Sequence, residues 1–83
     1  MGSLADYFDK VTYKPKYEIG DRVFGYYMKI PFIGSVGNDT LINEEEGPRV
    51  SIHLDLPIVL DKQIRSVIIV KHKDIKSRLK LIE

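Results

Sequence analysis

The chain has 83 residues, of which 30% are charged and 43% hydrophobic, and it contains neither Cys nor Trp. This length suits one small domain of globular composition, and the absence of Cys excludes disulfide frameworks, thiolate zinc sites, iron–sulfur clusters and cysteine nucleophiles. The formal net charge of +1 indicates no particular partner. No apolar run approaches the roughly 20 residues of a membrane helix, and no basic-then-apolar segment opens the chain. We therefore expect a soluble, cytoplasmic protein without a membrane partner.

The N-terminal residues 1–18 are predicted to form an arm or short helix, and residues 19–83 are predicted to form the main domain. Within the arm, four apolar residues recur at the spacing of one helix face, namely Leu4, Tyr7, Phe8 and Val11. Pro15 favours extended or irregular backbone after them.

Two strands are predicted in the first half of the main domain. The first covers residues 22–24, and Gly25 ends or bulges it. An aromatic loop over residues 26–32 follows. The second strand covers residues 33–43 and bends at its glycines, although Gly37-Asn38 could instead form a hairpin turn.

The clearest pattern is a strand in which every second residue is apolar, namely Val50, Ile52, Leu54, Leu56, Ile58 and Leu60. Alternation of this kind predicts one buried face and one polar face. Pro57 cannot donate a hydrogen bond to a neighbouring strand, so we expect the strand to end or bulge there.

After a turn at residues 61–63, residues 64–71 are predicted to form a strand. Its four consecutive apolar residues, Val67–Val70, indicate burial on both faces. Residues 73–83 fit either a strand or a helix. We favour a one-turn helix at residues 73–76 and a short closing strand at residues 78–82.

Five short strands, with a one-turn helix before the last, resemble the SH3-like small barrel of the KOW and Tudor type. The similarity covers residues 19–82, and its motifs are Gly20-Asp21-Arg22-Val23, Gly25 and Pro31-Phe32-Ile33-Gly34-Ser35-Val36. In those families a Gly-Asp-x-Val strand leads through a loop to a Gly-x-Val strand. The resemblance implies an all-β, five-stranded barrel. Such barrels commonly bind nucleic acid, ribosomes, RNA polymerase or peptides, and rarely catalyse a reaction.

Charge is distributed unevenly along the chain. Residues 1–61 carry six cations against ten acids, a balance of −4, whereas residues 62–83 carry seven cations against two acids, a balance of +5. The split predicts a basic C-terminal surface that consists of Lys71, Lys73, Lys76, Arg78 and Lys80. On a strand, Lys76, Arg78 and Lys80 would point one way at intervals of about 6.8 Å, which suits a phosphate backbone. Alternatively, the cations form a solvated edge that protects a terminal strand from aggregation.

A second candidate surface is the aromatic loop, with Arg22, Tyr26, Tyr27, Lys29 and Phe32 as its predicted ligand-binding residues. Aromatic rings interleaved with cations can stack on bases or hold an apolar peptide side chain. Adjacent residues of an extended chain face opposite ways, so we expect either Tyr26 or Tyr27 to be exposed. Alternatively, one tyrosine and Phe32 belong to the core.

No group of residues predicts catalysis. Ser51, His53 and Asp55 share a strand face, but alternate residues lie about 6.6–6.8 Å apart, beyond hydrogen-bond reach. The two histidines have no second ligand at metal-binding spacing, and the acidic run at residues 44–46 lacks the pattern of a calcium loop. We therefore predict no catalytic residue, no metal ion and no cofactor.

Two functions fit these observations. The first is a non-enzymatic, nucleic-acid-binding barrel that contacts DNA or RNA electrostatically, with little base readout. The second is a protein-interaction module, an accessory or regulatory factor that binds an acidic or proline-rich segment of a larger assembly. The acidic first part of the chain weighs against the first function, because it would repel phosphates.

Overall fold

The computed structural model describes residues 13–79, which form one antiparallel sheet of five strands. The strands are β1 (Arg22–Tyr27), β2 (Ile30–Asn43), β3 (Gly47–Leu60), β4 (Gln63–Val70) and β5 (Ile75–Leu79), with a 3-10 turn (His72–Asp74) before the last. They lie in the order β4-β3-β2-β1-β5, so β4 and β5 are the edges of the described sheet. The predicted mainly β class is confirmed. Most of the predicted arm (residues 1–12) and the end of the predicted closing strand (residues 80–82) lie outside the described residues.

A two-residue turn replaces the predicted aromatic loop. Met28 and Lys29 have φ of 50° and 69° and join β1 directly to β2, with Tyr27 paired to Ile30. Positive φ at both central residues is the mark of a type I′ turn, whose twist matches that of the flanking strands. The prediction of a loop was wrong, because the usual turn residues, Asn and Gly, are absent from this turn. Asp61 and Lys62, with φ of 49° and 65°, make the equivalent connection from β3 to β4.

A bulge at Gly37 reverses the faces of β2. The register with β3 shifts between Val36 and Asn38, so Gly37 is an extra residue and the strand continues without a hairpin. Before the bulge the inward side chain is that of Val36, and after it the inward side chain is that of Asp39. The predicted bend at Gly37 is confirmed, and it brings a carboxylate into the interior.

The alternating face of β3 is buried over only part of its length. Val50 and Ile52 are fully buried, but Leu56 is 79% exposed. Residues 54–57 face a single residue of β4, Ser66, so β3 bulges outward over this stretch. The predicted bulge at Pro57 is confirmed, and it explains why the prediction that Leu56 is buried was wrong.

The core lies between the inward faces of the sheet and the segment that precedes β1; its members are Tyr17, Val23, Phe32, Val36, Val50, Ile52, Ile68, Val70 and Ile75. β4 contributes only Ile68 and Val70, whereas Val67 and Ile69 are 44% and 58% exposed. The prediction that β4 is buried on both faces was wrong, because nothing in residues 13–79 covers its outer face. No helix of these residues is long and apolar enough to cross a membrane.

Candidate functional site

The outer face of β1 and β2 carries four neighbouring apolar side chains. Cross-strand pairing places Phe24 opposite Ile33 and Tyr26 opposite Pro31. The rings of Phe24 and Tyr26 pack edge to face, with their centroids 5.3 Å apart. Tyr26 is nevertheless 43% exposed, so this cluster faces solvent rather than the core.

The bulge of β3 turns this face into a groove of about 310 Å³. One wall comes from β1 and β2, and the other comes from residues 55–58. Leu56 and Pro57 belong to the second wall, and Phe32, which is buried, lines the groove from the core side. We call this feature the outer groove. Its volume lies within the range of known ligand pockets, and exposed contiguous apolar surface marks an interaction site.

An ion pair at the outer groove joins β1 to the bulge. Arg22 donates from Nη1 to Asp55 Oδ1 at 2.7 Å and to Ser35 Oγ at 2.9 Å, and from Nη2 to Asp55 Oδ2. The hydrogen bonds from this guanidinium hold the pKa of Asp55 below its usual range. A two-pronged contact fixes orientation as well as charge. The pair therefore holds the second wall of the groove against β1.

The five residues predicted for the aromatic loop divide between the outer face of the sheet, the core and the turn. Arg22 and Tyr26 are at the outer face, whereas Tyr27 packs against the core and Phe32 is part of it. Lys29 is exposed in the turn. The expectation that Tyr26 and Tyr27 face opposite ways is confirmed. The alternative was that one tyrosine and Phe32 belong to the core, and the structure agrees with it, since Phe32 is buried in the core and Tyr27 packs against it.

A bulge in β5 disrupts the predicted row of cations. Ile75 pairs with Gly25 and Ser77 pairs with Phe24, which leaves Lys76 as an extra residue. Arg78 consequently lies opposite Val23, on the inward-facing side of the sheet. The prediction that Lys76 and Arg78 point the same way was wrong, because a bulge reverses the alternation of side chains.

Arg78 is held by the segment before β1. Its Nε lies 3.2 Å from Asp21 Oδ2, its Nη2 donates to the Lys16 carbonyl at 2.7 Å, and its guanidinium lies 5.2 Å from the centroid of the Tyr17 ring. Arg78 remains exposed although it is held in this way, and the other described members of the basic surface are exposed as well, namely Lys71, Lys73 and Lys76. Lys80 lies outside the described residues.

Sequence reasoning missed a buried carboxylate, that of Asp39, whose side chain is fully enclosed. It accepts hydrogen bonds from the Tyr13 hydroxyl at 2.7 Å and from the backbone N–H groups of Lys16 and Tyr17 at 2.8 and 3.0 Å. His72 Nε2 lies 3.0 Å from both carboxylate oxygens. The network joins the segment before β1, strand β2 and the 3-10 turn.

Charge within this network is set by its hydrogen bonds. Burial alone would raise the pKa of Asp39, but the bonds from Tyr13, His72 and two backbone amides hold it below its usual value. Burial and the bond to Asp39 raise the pKa of Tyr13 to about 12. Asp39 is therefore ionised and Tyr13 neutral at neutral pH. Because the carboxylate is enclosed and fully hydrogen-bonded, we interpret the network as one that stabilises the fold.

Comparisons with protein-family models, with curated proteins and with solved structures found no significant match to this chain. Among residues 13–79, no three His, Asp or Glu side chains are grouped closely enough to hold a metal ion. The outer groove combines a concave apolar surface with an adjoining ion pair, which is the chemistry of a binding site.

Proposed function

We propose that the chain is a protein-interaction module that binds an extended peptide segment in the outer groove. The observation that carries the proposal is an apolar groove on a rigid strand face. Phe24 and Leu56 line this apolar surface, Tyr26 lies beside it against the Phe24 ring, and the described chain leaves Leu56 and Tyr26 exposed to water. Burying it against a partner would be favourable by about 25 cal/mol for each Å² removed from solvent.

The chemistry of the groove favours a proline-containing segment. Such a segment enters the polyproline II conformation at low entropic cost and packs its rings against aromatic side chains. Tyr26 offers both a ring face and a hydroxyl that can donate to a peptide carbonyl. The Arg22–Asp55 pair provides a polar boundary at one end of the apolar surface.

We further infer that the fold is an SH3-like small barrel. Support comes from the strand order β4-β3-β2-β1-β5 and from the 3-10 turn that precedes β5. Both agree with the element order of that fold. The fold by itself does not define a ligand, so the functional proposal depends on the outer groove.

Nucleic-acid binding is the second candidate, because Lys71, Lys73 and Lys76 are exposed together at the 3-10 turn and its flanks. If each neutralised one phosphate of duplex DNA, the slope of log affinity against log salt would contain about −2.7 from these three lysines. The engagement of Arg78 by Asp21 and Tyr17 weakens this candidate. In either case we expect the protein to act in the cytoplasm as a small accessory factor.

A pair of matched variants tests the outer groove. Leu56 and Val59 are both exposed apolar residues of β3, but only Leu56 lines the groove. Proline-rich peptides selected by phage display against the wild-type protein provide the probe, and fluorescence anisotropy measures their affinity. We expect Leu56→Asp to weaken binding at least about tenfold, whereas Val59→Asp should leave it unchanged.

The competing results are distinct. Equal effects of Leu56→Asp and Val59→Asp, or no selected peptide at all, would contradict peptide binding in the groove. A salt titration with generic DNA and RNA tests the second candidate separately. Detectable binding that loses its salt slope when Lys71, Lys73 and Lys76 are replaced by Gln would favour nucleic acid instead.

A further inference from the structure

The two edges of the described sheet differ in their protection. On β5, a bulge and the charged residues Lys76 and Arg78 interrupt the edge, and such features prevent unwanted strand pairing. On β4, the stretch from Val67 to Val70 has neither a charge nor a proline. Its register with β3 runs without a break over these four residues. Within residues 13–79 no strand pairs with this edge of β4, which is therefore open to another strand.

The outer face of β4 combines apolar and basic residues in a regular order. Side chains alternate along a strand, so Arg65, Val67, Ile69 and Lys71 share one face. Lys71 follows β4 and retains extended backbone, with φ of −92° and ψ of 161°. All four residues are exposed. The face presents two apolar side chains between two cations, with the cations about 20 Å apart along the strand.

A second copy of this chain does not complement this order of side chains in a register that pairs both apolar residues. In an antiparallel β4–β4 pair, the register that places Val67 opposite Ile69 of the second copy also places Arg65 opposite Lys71 of that copy. Like charges directly opposite each other destabilise a sheet. A strand with carboxylates at both ends complements the same face, and the surplus of cations after residue 61 would attract it.

We propose that β4 binds, by strand addition, an extended acidic segment of a partner protein in which two alternate apolar residues are bracketed by carboxylates. Free backbone N–H and C=O groups of the β4 edge supply main-chain hydrogen bonds. Val67 and Ile69 pack against the apolar pair, and Arg65 and Lys71 set the register. The surface lies on a strand that the outer groove does not use, so it is independent of peptide binding there.

The probe is a synthetic peptide of sequence DTVTVTD, whose acidic and apolar positions match the spacing of the β4 face. Its affinity is measured by fluorescence anisotropy at low salt, and amide chemical shifts locate the contact. We expect the shifts to concentrate in residues 64–71. The double variant Arg65→Glu/Lys71→Glu should bind this peptide at least about tenfold more weakly, and it should instead bind the charge-reversed peptide KTVTVTK.

The matched control is the double variant Lys73→Glu/Lys76→Glu, which changes net charge equally at residues outside the β4 face. Its affinity for DTVTVTD, remeasured at about 0.15 M salt together with that of the Arg65→Glu/Lys71→Glu variant, should stay within about threefold of wild type, because charges off the β4 face act only through a field that this salt screens. Equal weakening by both double variants, no recovery with KTVTVTK, or no binding of either peptide would overturn the proposal. Concentration-dependent dimerisation that protects the β4 amides would overturn it too, because a second copy would then be the occupant.

Discussion

Substituting Asp39 by Ala should destabilise the folded chain by about 3–5 kcal/mol, because the change removes a buried carboxylate from its partners. The structure indicates how the loss arises. The backbone N–H of Tyr17 is left buried without an acceptor. The backbone N–H of Lys16 and the hydroxyl of Tyr13 also lose their acceptor, but these two donors are only partly buried. Each such donor costs about 1–3 kcal/mol when water cannot replace the lost partner. Water can reach the two partly buried donors, which keeps the total below the sum of three full penalties.

Chemical denaturation at neutral pH, followed by circular dichroism, measures this loss. A domain of this size has about 5–15 kcal/mol of stability, so this loss is a large share of the total, and the variant should melt at least about 12 °C lower. The stability of Asp39→Asn should lie between that of Asp39→Ala and that of wild type. Its amide oxygen can still accept from Lys16 and Tyr17, while its NH₂ group can donate to a rotated Tyr13 hydroxyl.

Asp55→Ala is the control, because Asp55 is also an aspartate paired with a basic side chain, but its pair with Arg22 faces solvent. Exposed pairs contribute little to stability, so the denaturant midpoint of this variant should lie close to that of wild type. Equal losses from Asp39→Ala and Asp55→Ala would refute the reasoning, since they would show that enclosure of the Asp39 carboxylate has no energetic consequence.

Three further predictions concern pH and the core. The pKa of Asp39 is lowered in the folded state. The contribution of Asp39 to stability is therefore complete above the ordinary carboxyl pKa of about 4, and it is lost as pH falls through the lowered pKa. Denaturant midpoints should consequently fall more steeply in acid for wild type than for Asp39→Asn. The Tyr13 phenol should titrate at about pH 12, as a late phase in ultraviolet absorbance that Tyr13→Phe removes, and persistence of that phase in the variant would assign it to another tyrosine. Ile52→Asp should abolish cooperative melting because an unpaired charge would be buried. Ser51→Ala and Leu56→Asp should leave a cooperative transition. Equal sensitivity of the melting transition to substitution of Ser51 and of Ile52 would show that the register of β3 is incorrect.

Local patterns in the sequence predicted the features that depend on one strand at a time. Alternation around Ile52 identified the buried face of β3, and Pro57 predicted the bulge because proline lacks an N–H donor. Burial of β4 was not predictable from Val67–Val70. Four consecutive apolar residues do not reveal whether a strand lies at the centre or at the edge of a sheet, which depends on its neighbours. The turn at Met28-Lys29 was also missed, since neither residue favours positive φ.

The errors at Asp39 and Arg78 have one physical cause. A single extra residue in a strand transfers every following side chain to the other face. Gly37 does this in β2, and Lys76 does it in β5. The glycine at position 37 predicted a bend, but only the pairing of β2 with β3 determines which residue of β2 has no partner in β3. The inward position of Asp39 and the contact of Arg78 with Tyr17 therefore follow from tertiary structure.

The bulges also separate residues that hold the fold together from residues that face solvent. Asp39 and Arg78, turned inward, hold the segment around Tyr17 against the sheet. The bulge of β3 has the opposite effect and turns Leu56 outward, where it adds to the outer groove and little to the core. Substitution of Leu56, or of Arg65 on the β4 face, can therefore alter binding in a protein that remains folded. Any binding lost through Asp39→Ala should, by contrast, be recovered under conditions that restore folding, because the Asp39 side chain is enclosed and belongs neither to the outer groove nor to the β4 face.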